Sequence, residues 1–178
     1  MTSEADRQVL LRIARDVLAA HLGGRFPPTP ELTGAAARCA GAFVTLHNGG
    51  RLRGCVGHIE PTEPLGRVVA RCAVAAATTD PRFPPVDAQE LPHIVLELSI
   101  LGTLEPVTSV ETIEVGRHGL VIETAACRGL LLPQVATEWL WDRETFLAQT
   151  CRKAGLAHDA WKGSATIWRF EAEVFGEV

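Results

Sequence analysis

Hydrophobic residues recur every three or four positions in three segments of the chain, and this spacing predicts three amphipathic helices. The segments are 3–22, 64–78 and 142–154. Ser3 and Asp6 resemble a capping box at the start of the first segment, and Gly155 follows the last, where a left-handed helix cap favours glycine. Gly23-Gly24 ends the first segment before the proline-rich loop Arg25–Pro30, and the proline-rich stretch Asp80–Pro85 ends the second.

Strict alternation of apolar and polar residues predicts two half-buried strands, at 93–101 and 167–175. Asn48-Gly49 lies between two further extended segments and favours a tight hairpin turn, because both residues tolerate positive φ. The two predicted hairpins comprise 39–47 with 51–57, and 120–123 with 130–132. Helices and hairpins are interleaved without regular strand–helix–strand alternation, so we predict an α+β fold with a mainly antiparallel sheet.

Composition narrows the class of protein. The chain has 178 residues, of which 47% are hydrophobic and 21% charged, as in an ordinary globular protein of one domain with a lobe added. No apolar run is long enough to cross a membrane. Lys and Arg number 17 against 21 Asp and Glu, a net charge of −4, which argues against a nonspecific nucleic-acid binder. RNA binding is the least favoured function, since it needs the fold to gather scattered arginines into a basic face. Those arginines are Arg51, Arg53, Arg67, Arg71 and Arg82.

The five cysteines indicate a reducing compartment. They are Cys39, Cys55, Cys72, Cys127 and Cys151. Their number is odd, no pair forms a C-x-x-C motif, and charged residues interrupt the N-terminal segment, where a secretory signal would need an apolar run. We therefore expect free thiols and a cytoplasmic protein.

Cys55 has the chemical context of a functional thiol. In an extended segment, the period of two places Arg51, Arg53 and Cys55 on one face, and positive charge favours the nucleophilic thiolate over the thiol. Gly54 and Gly57 leave room for another backbone or a ligand. The alternative is structural, with Cys55 as a small buried residue and the glycines marking a bulge.

A nucleophilic cysteine needs a base, and His118 is the best candidate by local context, although a histidine in a solvated turn has the same sequence pattern. Cys55 and His58 form one C-x-x-H, and with His118 they are a weaker candidate for a metal site. One such pair is insufficient, because structural zinc sites usually contain two. We therefore predict no metal and no cofactor.

Two further residues are candidates for substrate binding. Arg82 lies in the stiff loop Asp80–Pro85, where it could meet an anionic or planar ligand, or where the loop could simply end the second helix. Gln134 follows a proline at a predicted strand end and could orient a ligand or satisfy buried backbone groups.

Five motifs, in this order, resemble the AMMECR domain family, also called AmmeMemoRadiSam system protein A. They are Leu52–Gly57, Asp80–Pro85, Gly116–Leu120, Leu131–Val135 and Cys151–Leu156. The resemblance implies a compact α+β domain over 1–178, with its core at about 5–175, in which a mainly antiparallel β-sheet is flanked by helices and accompanied by a smaller lobe. It also implies a Memo-like protein and a radical SAM protein as partners.

Two functions remain open at this point. In the first, the chain is an enzyme or enzyme subunit acting on a small polar or anionic substrate. Cys55 and His118 are then catalytic, and Arg53, Arg82 and Gln134 bind the substrate. In the second, the same surface is a non-catalytic binding or scaffold module that docks the two partners, since the sequence contains no complete triad or phosphate loop.

Overall fold

The computed structural model describes residues 2–163 and 165–177 and confirms the α+β class. The α-helices are α1 (Glu4–Leu22), α2 (Leu65–Thr78), α3 (Pro133–Glu138) and α4 (Arg143–Lys153). The strands are β1 (Ala42–Asn48), β2 (Arg51–His58), β3 (Ile94–Leu101), β4 (Glu105–Pro106), β5 (His118–Glu123), β6 (Arg128–Leu131) and β7 (Thr166–Gly176). Every strand pair whose register is defined is antiparallel.

The chain divides into two compact units. The first comprises the described residues up to Leu101 together with those from Glu173 onward, and the second comprises Gly102–Ala172. One domain over 1–178 stays a prediction. Among the described residues, no helix is long and apolar enough to span a bilayer.

In the first unit, α1 and α2 pack on one face of a sheet whose strand order is β2-β1-β3-β7. Alternate residues of β1 and β3, such as Leu46 and Leu98, are fully buried against apolar residues of the two helices, such as Leu10 and Val69. Polar side chains of β1, β2 and β3 lie on the face of the sheet that is turned away from α1 and α2. On that face, Thr45 of β1 is opposite Cys55 of β2 on one side and Glu97 of β3 on the other.

In the second unit, β7 pairs with β5, and β5 pairs with β6. The core lies between these strands and the two short helices, with Phe146 and Leu147 of α4 fully buried beside Leu120 and Ile122 of β5. Close packing of α4 on β6 depends on Gly129, where a Cβ would overlap the backbone of Ala154.

Most predicted elements form where the pattern places them. Ser3 caps α1 by accepting a hydrogen bond from the amide of Asp6, and Gly155 has the left-handed φ of +76° expected after α4. The segment after β6 differs from its prediction, because α3 begins at Pro133 where a strand end was expected. Proline at the first helical position is pre-organised for a helix and loses no intrahelical hydrogen bond there.

Candidate functional site

Cys55 lies on β2, at the free edge of the first unit's sheet, and a carboxylate satisfies its backbone. Its amide points away from β1 and donates to Asp80 Oδ2 at 2.9 Å. Asp80 follows the end of α2 and is only 5% exposed. An edge strand presents unpaired backbone donors that need partners when they are buried. Asp80 therefore ties the start of the proline-rich loop to the cysteine strand.

The same carboxylate holds Arg82. The guanidinium donates from Nε to Oδ1 at 3.0 Å and from Nη2 to Oδ2 at 2.7 Å, and the Arg82 backbone amide also donates to Oδ1. The hydrogen bonds from the Arg82 side chain hold the pKa of Asp80 well below its usual range. Although Asp80 is buried, the Arg82 side chain is 52% exposed and lies over the Phe83 ring, with 5.5 Å between the guanidinium carbon and the ring centroid.

Arg53 anchors the other end of the loop. Its guanidinium forms a fork with Glu90, with Nε and Nη2 each 2.8 Å from a carboxylate oxygen, and it also donates to the carbonyl oxygens of Pro84 and Pro85. The hydrogen bonds from Arg53 lower the pKa of Glu90 to about 2. The Arg53 side chain is 14% exposed. Its contacts make it a structural tether for the loop.

Glycines explain why β2 can lie where it does. A Cβ on Gly54 would overlap the carbonyl oxygen of Ala76, so glycine is needed for β2 to approach the last turn of α2. A Cβ on Gly57 would overlap the ring of Phe43, its partner across the strand pair. The glycines flanking Cys55 therefore serve close packing by a helix backbone and an aromatic ring.

The charges and the burial around Cys55 act in opposite directions on the pKa of its thiol. Burial raises the pKa of Cys55, and nearby Asp80 and Glu97 raise it further. The hydroxyl of Thr45, which donates to Sγ at 3.3 Å, and the charge of Arg82 oppose this rise without reversing it. Arg53 turns to Glu90, so the cation beside the thiol is Arg82, which is already paired with Asp80. These surroundings favour the neutral thiol, and activation of Cys55 as a nucleophile stays a prediction.

His118 belongs to the second unit, whereas Cys55 belongs to the first. It is the first residue of β5, is 5% exposed, and accepts a hydrogen bond at Nδ1 from the backbone amide of Glu114 at 2.9 Å. Burial lowers the pKa of His118. The pairing of His118 with Cys55 as base and nucleophile stays a prediction.

Gln134 also belongs to the second unit and is the second residue of α3, a helix that the sequence pattern did not predict and that begins two residues after β6 ends. Its Oε1 is buried without a hydrogen-bond partner among the residues that the structure describes. Over 2–163 and 165–177, no three His, Cys, Asp or Glu side chains are grouped so that they could hold a metal ion. All five cysteines are free.

Comparison with known proteins decides the family. The AMMECR1 family model matches residues 11–175 of the chain. The chain belongs to the AMMECR1 family. An archaeal relative from Methanothermobacter thermautotrophicus is 44% identical over 98% of this chain and 96% of its own length. A relative from Methanocaldococcus jannaschii is 44% identical over 94% of this chain and 88% of its own.

The crystal structure of an uncharacterized protein from Pyrococcus horikoshii has the same fold as this AMMECR1 chain. Its TM-score to this chain is 0.87 at 39% identity, and the match covers 94% of this chain and 89% of that one. The resemblance seen in the five motifs is therefore confirmed at the level of family and fold.

Sequence reasoning missed three residues that build the cysteine site of this AMMECR1 chain. The sequence places Asp80 in the loop that ends the second helix and Glu90 in a capped turn with Asp87, and it gives Thr45 no motif. A signal for Asp80 was available, because an acidic residue directly before Pro-Arg can accept hydrogen bonds from the turn it opens. Nothing in the local sequence of Thr45 identifies it, since its role depends on pairing with Cys55 across two strands.

Proposed function

We propose that the protein is a binding module in which Arg82 receives an anionic group of a small molecule or partner beside the Cys55 thiol. One observation carries the proposal: Asp80 fixes a guanidinium that remains half exposed. The carboxylate uses two of its five N–H donors, and the other three form no hydrogen bond with the described residues, so they are available for an oxyanion. The loop that carries Arg82 is anchored at both ends, so little conformational entropy is lost when a ligand binds.

The state of the thiol favours a binding role over nucleophilic catalysis. A nucleophilic cysteine is usually activated by an adjacent base or by net positive charge. Within the described part of the chain, the only hydrogen-bond partner of Cys55 Sγ is the Thr45 hydroxyl. Burial raises the thiol pKa and so favours the neutral form of Cys55, which can act as a packing group or a weak donor in the site.

For partners, we propose the Memo-like protein and the radical SAM protein that the family resemblance implies, in the reducing cytoplasm that the free cysteines favour. Such partners would contact Arg82 and Phe83, which the loop presents together as a charged and an aromatic group. Arginine and aromatic residues are the types most often found at the centres of protein interfaces.

The second candidate is a cysteine-dependent enzyme. The Thr45 hydrogen bond and the Arg82 charge both favour the thiolate. In this case a base that the substrate or a partner supplies would have to remove the thiol proton. His118 and Gln134 would have to serve the same substrate for the full catalytic assignment to hold.

The docking proposal is tested by binding of the two partners to immobilised protein at micromolar concentration. We expect Arg82→Gln to weaken binding at least tenfold and Cys55→Ser to change it little. Arg71→Gln is the matched control, since Arg71 is also half exposed and paired with a single glutamate, Glu63. Equal binding by wild type and Arg82→Gln would overturn the role of Arg82, and no binding of either partner would overturn the partner assignment.

A further inference from the structure

The second unit contains a polar cleft of about 420 Å³ that the cysteine site does not use. Its volume lies within the range typical of small-molecule sites. The residues that line it are Gly102, Thr103, Glu105, Arg117, His118, Arg169, Phe170 and Glu171. His118 pairs with Glu171 across β5 and β7, and Arg169 pairs with Glu105 across β7 and β4, so the sheet itself sets the positions of these four side chains.

His118 is held rigidly at the wall of this cleft. The turn before β5 closes when the His118 amide donates to the carbonyl of Glu114, while the Glu114 amide donates back to His118 Nδ1. An amide can only donate, so Nδ1 carries the lone pair, and the neutral ring carries its hydrogen on Nε2. The side chain is therefore a fixed donor in one tautomer.

The Nε2–H group has no partner among the described residues, although the residue is about 95% buried. Among the described residues, two unpaired side-chain atoms are fully enclosed, Ser99 Oγ and Gln134 Oε1. His118 Nε2 is not enclosed in this way, so it can be reached from the cleft. Buried polar groups are nearly always hydrogen-bonded, and one that is unpaired at a cleft wall marks where an acceptor would bind.

The charges around the cleft limit the ligand. Arg117 pairs with Glu171 at 2.8 Å and with Glu114 at 3.1 Å, and Arg169 pairs with Glu105 at 3.0 Å, so two guanidinium groups face three carboxylates. A ligand with one negative charge would find one neutral donor and two guanidinium groups there. A second negative charge would be opposed by the three glutamates.

We propose that this cleft binds a small molecule through a single carboxylate group, which accepts a hydrogen bond from Nε2–H of His118 and is further stabilised by Arg169. The lining residues all belong to the second unit, so the proposal is independent of the Arg82 surface.

Binding has a spectroscopic consequence. In the free protein burial lowers the pKa of His118, and Arg169 and Arg117 lower it further, while Glu114 and Glu171 oppose them. A bound carboxylate adds negative charge next to the ring and favours the imidazolium, so it raises the pKa of His118. The same linkage requires that binding becomes weaker as pH rises through the pKa of the complex.

The test follows the imidazole Cε1–H resonance of His118 by NMR during titration with acetate at constant ionic strength, maintained with chloride. We expect a saturable shift of His118 and a higher His118 pKa in the presence of acetate, with no saturable shift of His158, an exposed histidine of the same unit. Phosphate is titrated in parallel, and weaker binding than acetate is expected.

Two variants distinguish loss of the Nε2–H donor from loss of folding. His118→Asn retains an acceptor near the Nδ1 position for the Glu114 amide but lacks a donor at Nε2, and we expect at least a tenfold loss of acetate binding, read from the Gly119 amide. His118→Gln places an amide donor near the Nε2 position, and we expect it to retain most of the binding. Circular dichroism and thermal unfolding show whether both variants fold.

Three results would overturn the proposal. They are an unchanged His118 resonance at tens of millimolar acetate, a shift that chloride reproduces, and binding by His118→Asn equal to that of wild type. Tighter binding of phosphate than of acetate would overturn the assignment to a single carboxylate.

Discussion

The carboxylate of Asp80 accepts a hydrogen bond from the backbone amide of Cys55, 25 positions earlier in the chain, and it holds the guanidinium of Arg82 at the same time. One buried side chain thus satisfies an edge strand and orients the exposed arginine of the proposed binding site.

Replacement of Asp80 should therefore reduce both stability and order in the loop. Asp80→Ala leaves the Cys55 amide without its partner and releases Arg82, and we expect a loss of about 2–3 kcal/mol in the free energy of unfolding. Asp80→Asn retains an acceptor, so its loss in the free energy of unfolding should be smaller than that of Asp80→Ala. Chemical denaturation measures both. Equal losses for the two variants would show that the amide hydrogen bond contributes nothing beyond the charge.

The Glu90–Arg53 pair predicts a dependence of stability on acid pH. The pKa of Glu90 is lowered to about 2 in the folded protein, from an ordinary value of 4.5. A depressed carboxyl pKa stabilises the folded state fully above the unfolded value, and the stabilisation is lost as pH falls toward the folded value. The advantage of wild type over Glu90→Gln should thus be greatest above about pH 5 and decrease toward pH 2.

Denaturation curves of the two proteins at several pH values measure this difference in the free energy of unfolding. The contributions of the acidic groups that both proteins share cancel when one curve is subtracted from the other. Arg53→Gln removes the cation that lowers the pKa and should show the same decrease relative to wild type. A stability difference that stays constant between pH 5 and pH 2 would contradict the assigned cause.

The reactivity of Cys55 separates the resting thiol from an activated nucleophile. Because burial raises its pKa, we expect iodoacetamide to alkylate Cys55 at pH 7 no faster than it alkylates N-acetylcysteine. Mass spectrometry of the intact protein and its peptides gives the rate at each cysteine, with exposed Cys39 and buried Cys72 as internal references. Alkylation faster than that of the free thiol would favour the enzyme over the binding module.

Gly54 should tolerate no side chain. A Cβ there would overlap the backbone carbonyl oxygen of Ala76, which α2 holds in place, so we expect Gly54→Ala to cost about 2–3 kcal/mol in the free energy of unfolding. Gly163→Ala is the control, because a Cβ at that position meets no atom of the described residues beyond its chain neighbours within 4 Å. Similar stability of the two variants would show that β2 can move away from α2 at little cost.

Leu140, two residues after the end of α3, has an unfavourable backbone conformation. Its φ is +54°, in the left-handed region that disfavours residues with a Cβ, and its side chain is 92% exposed. We expect Leu140→Gly to raise the free energy of unfolding by about 0.5–1 kcal/mol, after allowance for the greater freedom of glycine in the unfolded chain. Gly155→Ala, at φ +76°, should lower it by a similar amount. Thermal denaturation checks both signs, and a destabilised Leu140→Gly would mean that the leucine makes compensating contacts.

The local sequence was sufficient to predict the helices and hairpins because their signals are local. Ser3, Gly49 and Gly155 act through their own backbone preferences and caps, and the alternating residues of β3 bury one face whichever strands lie beside it. The helix α3 was missed because it has only six residues, too few to establish a helical period.

The chemistry of the site depended on tertiary structure. The sequence by itself identified Cys55, Arg82 and His118 as residues with a chemical context, and its five ordered motifs identified the family. It could not show that Arg53 pairs with Glu90 rather than with the thiol, or that Asp80 satisfies the Cys55 amide. Burial and long-range pairing determine the charge of a thiol or an imidazole, and both arise only when distant segments of the chain pack together.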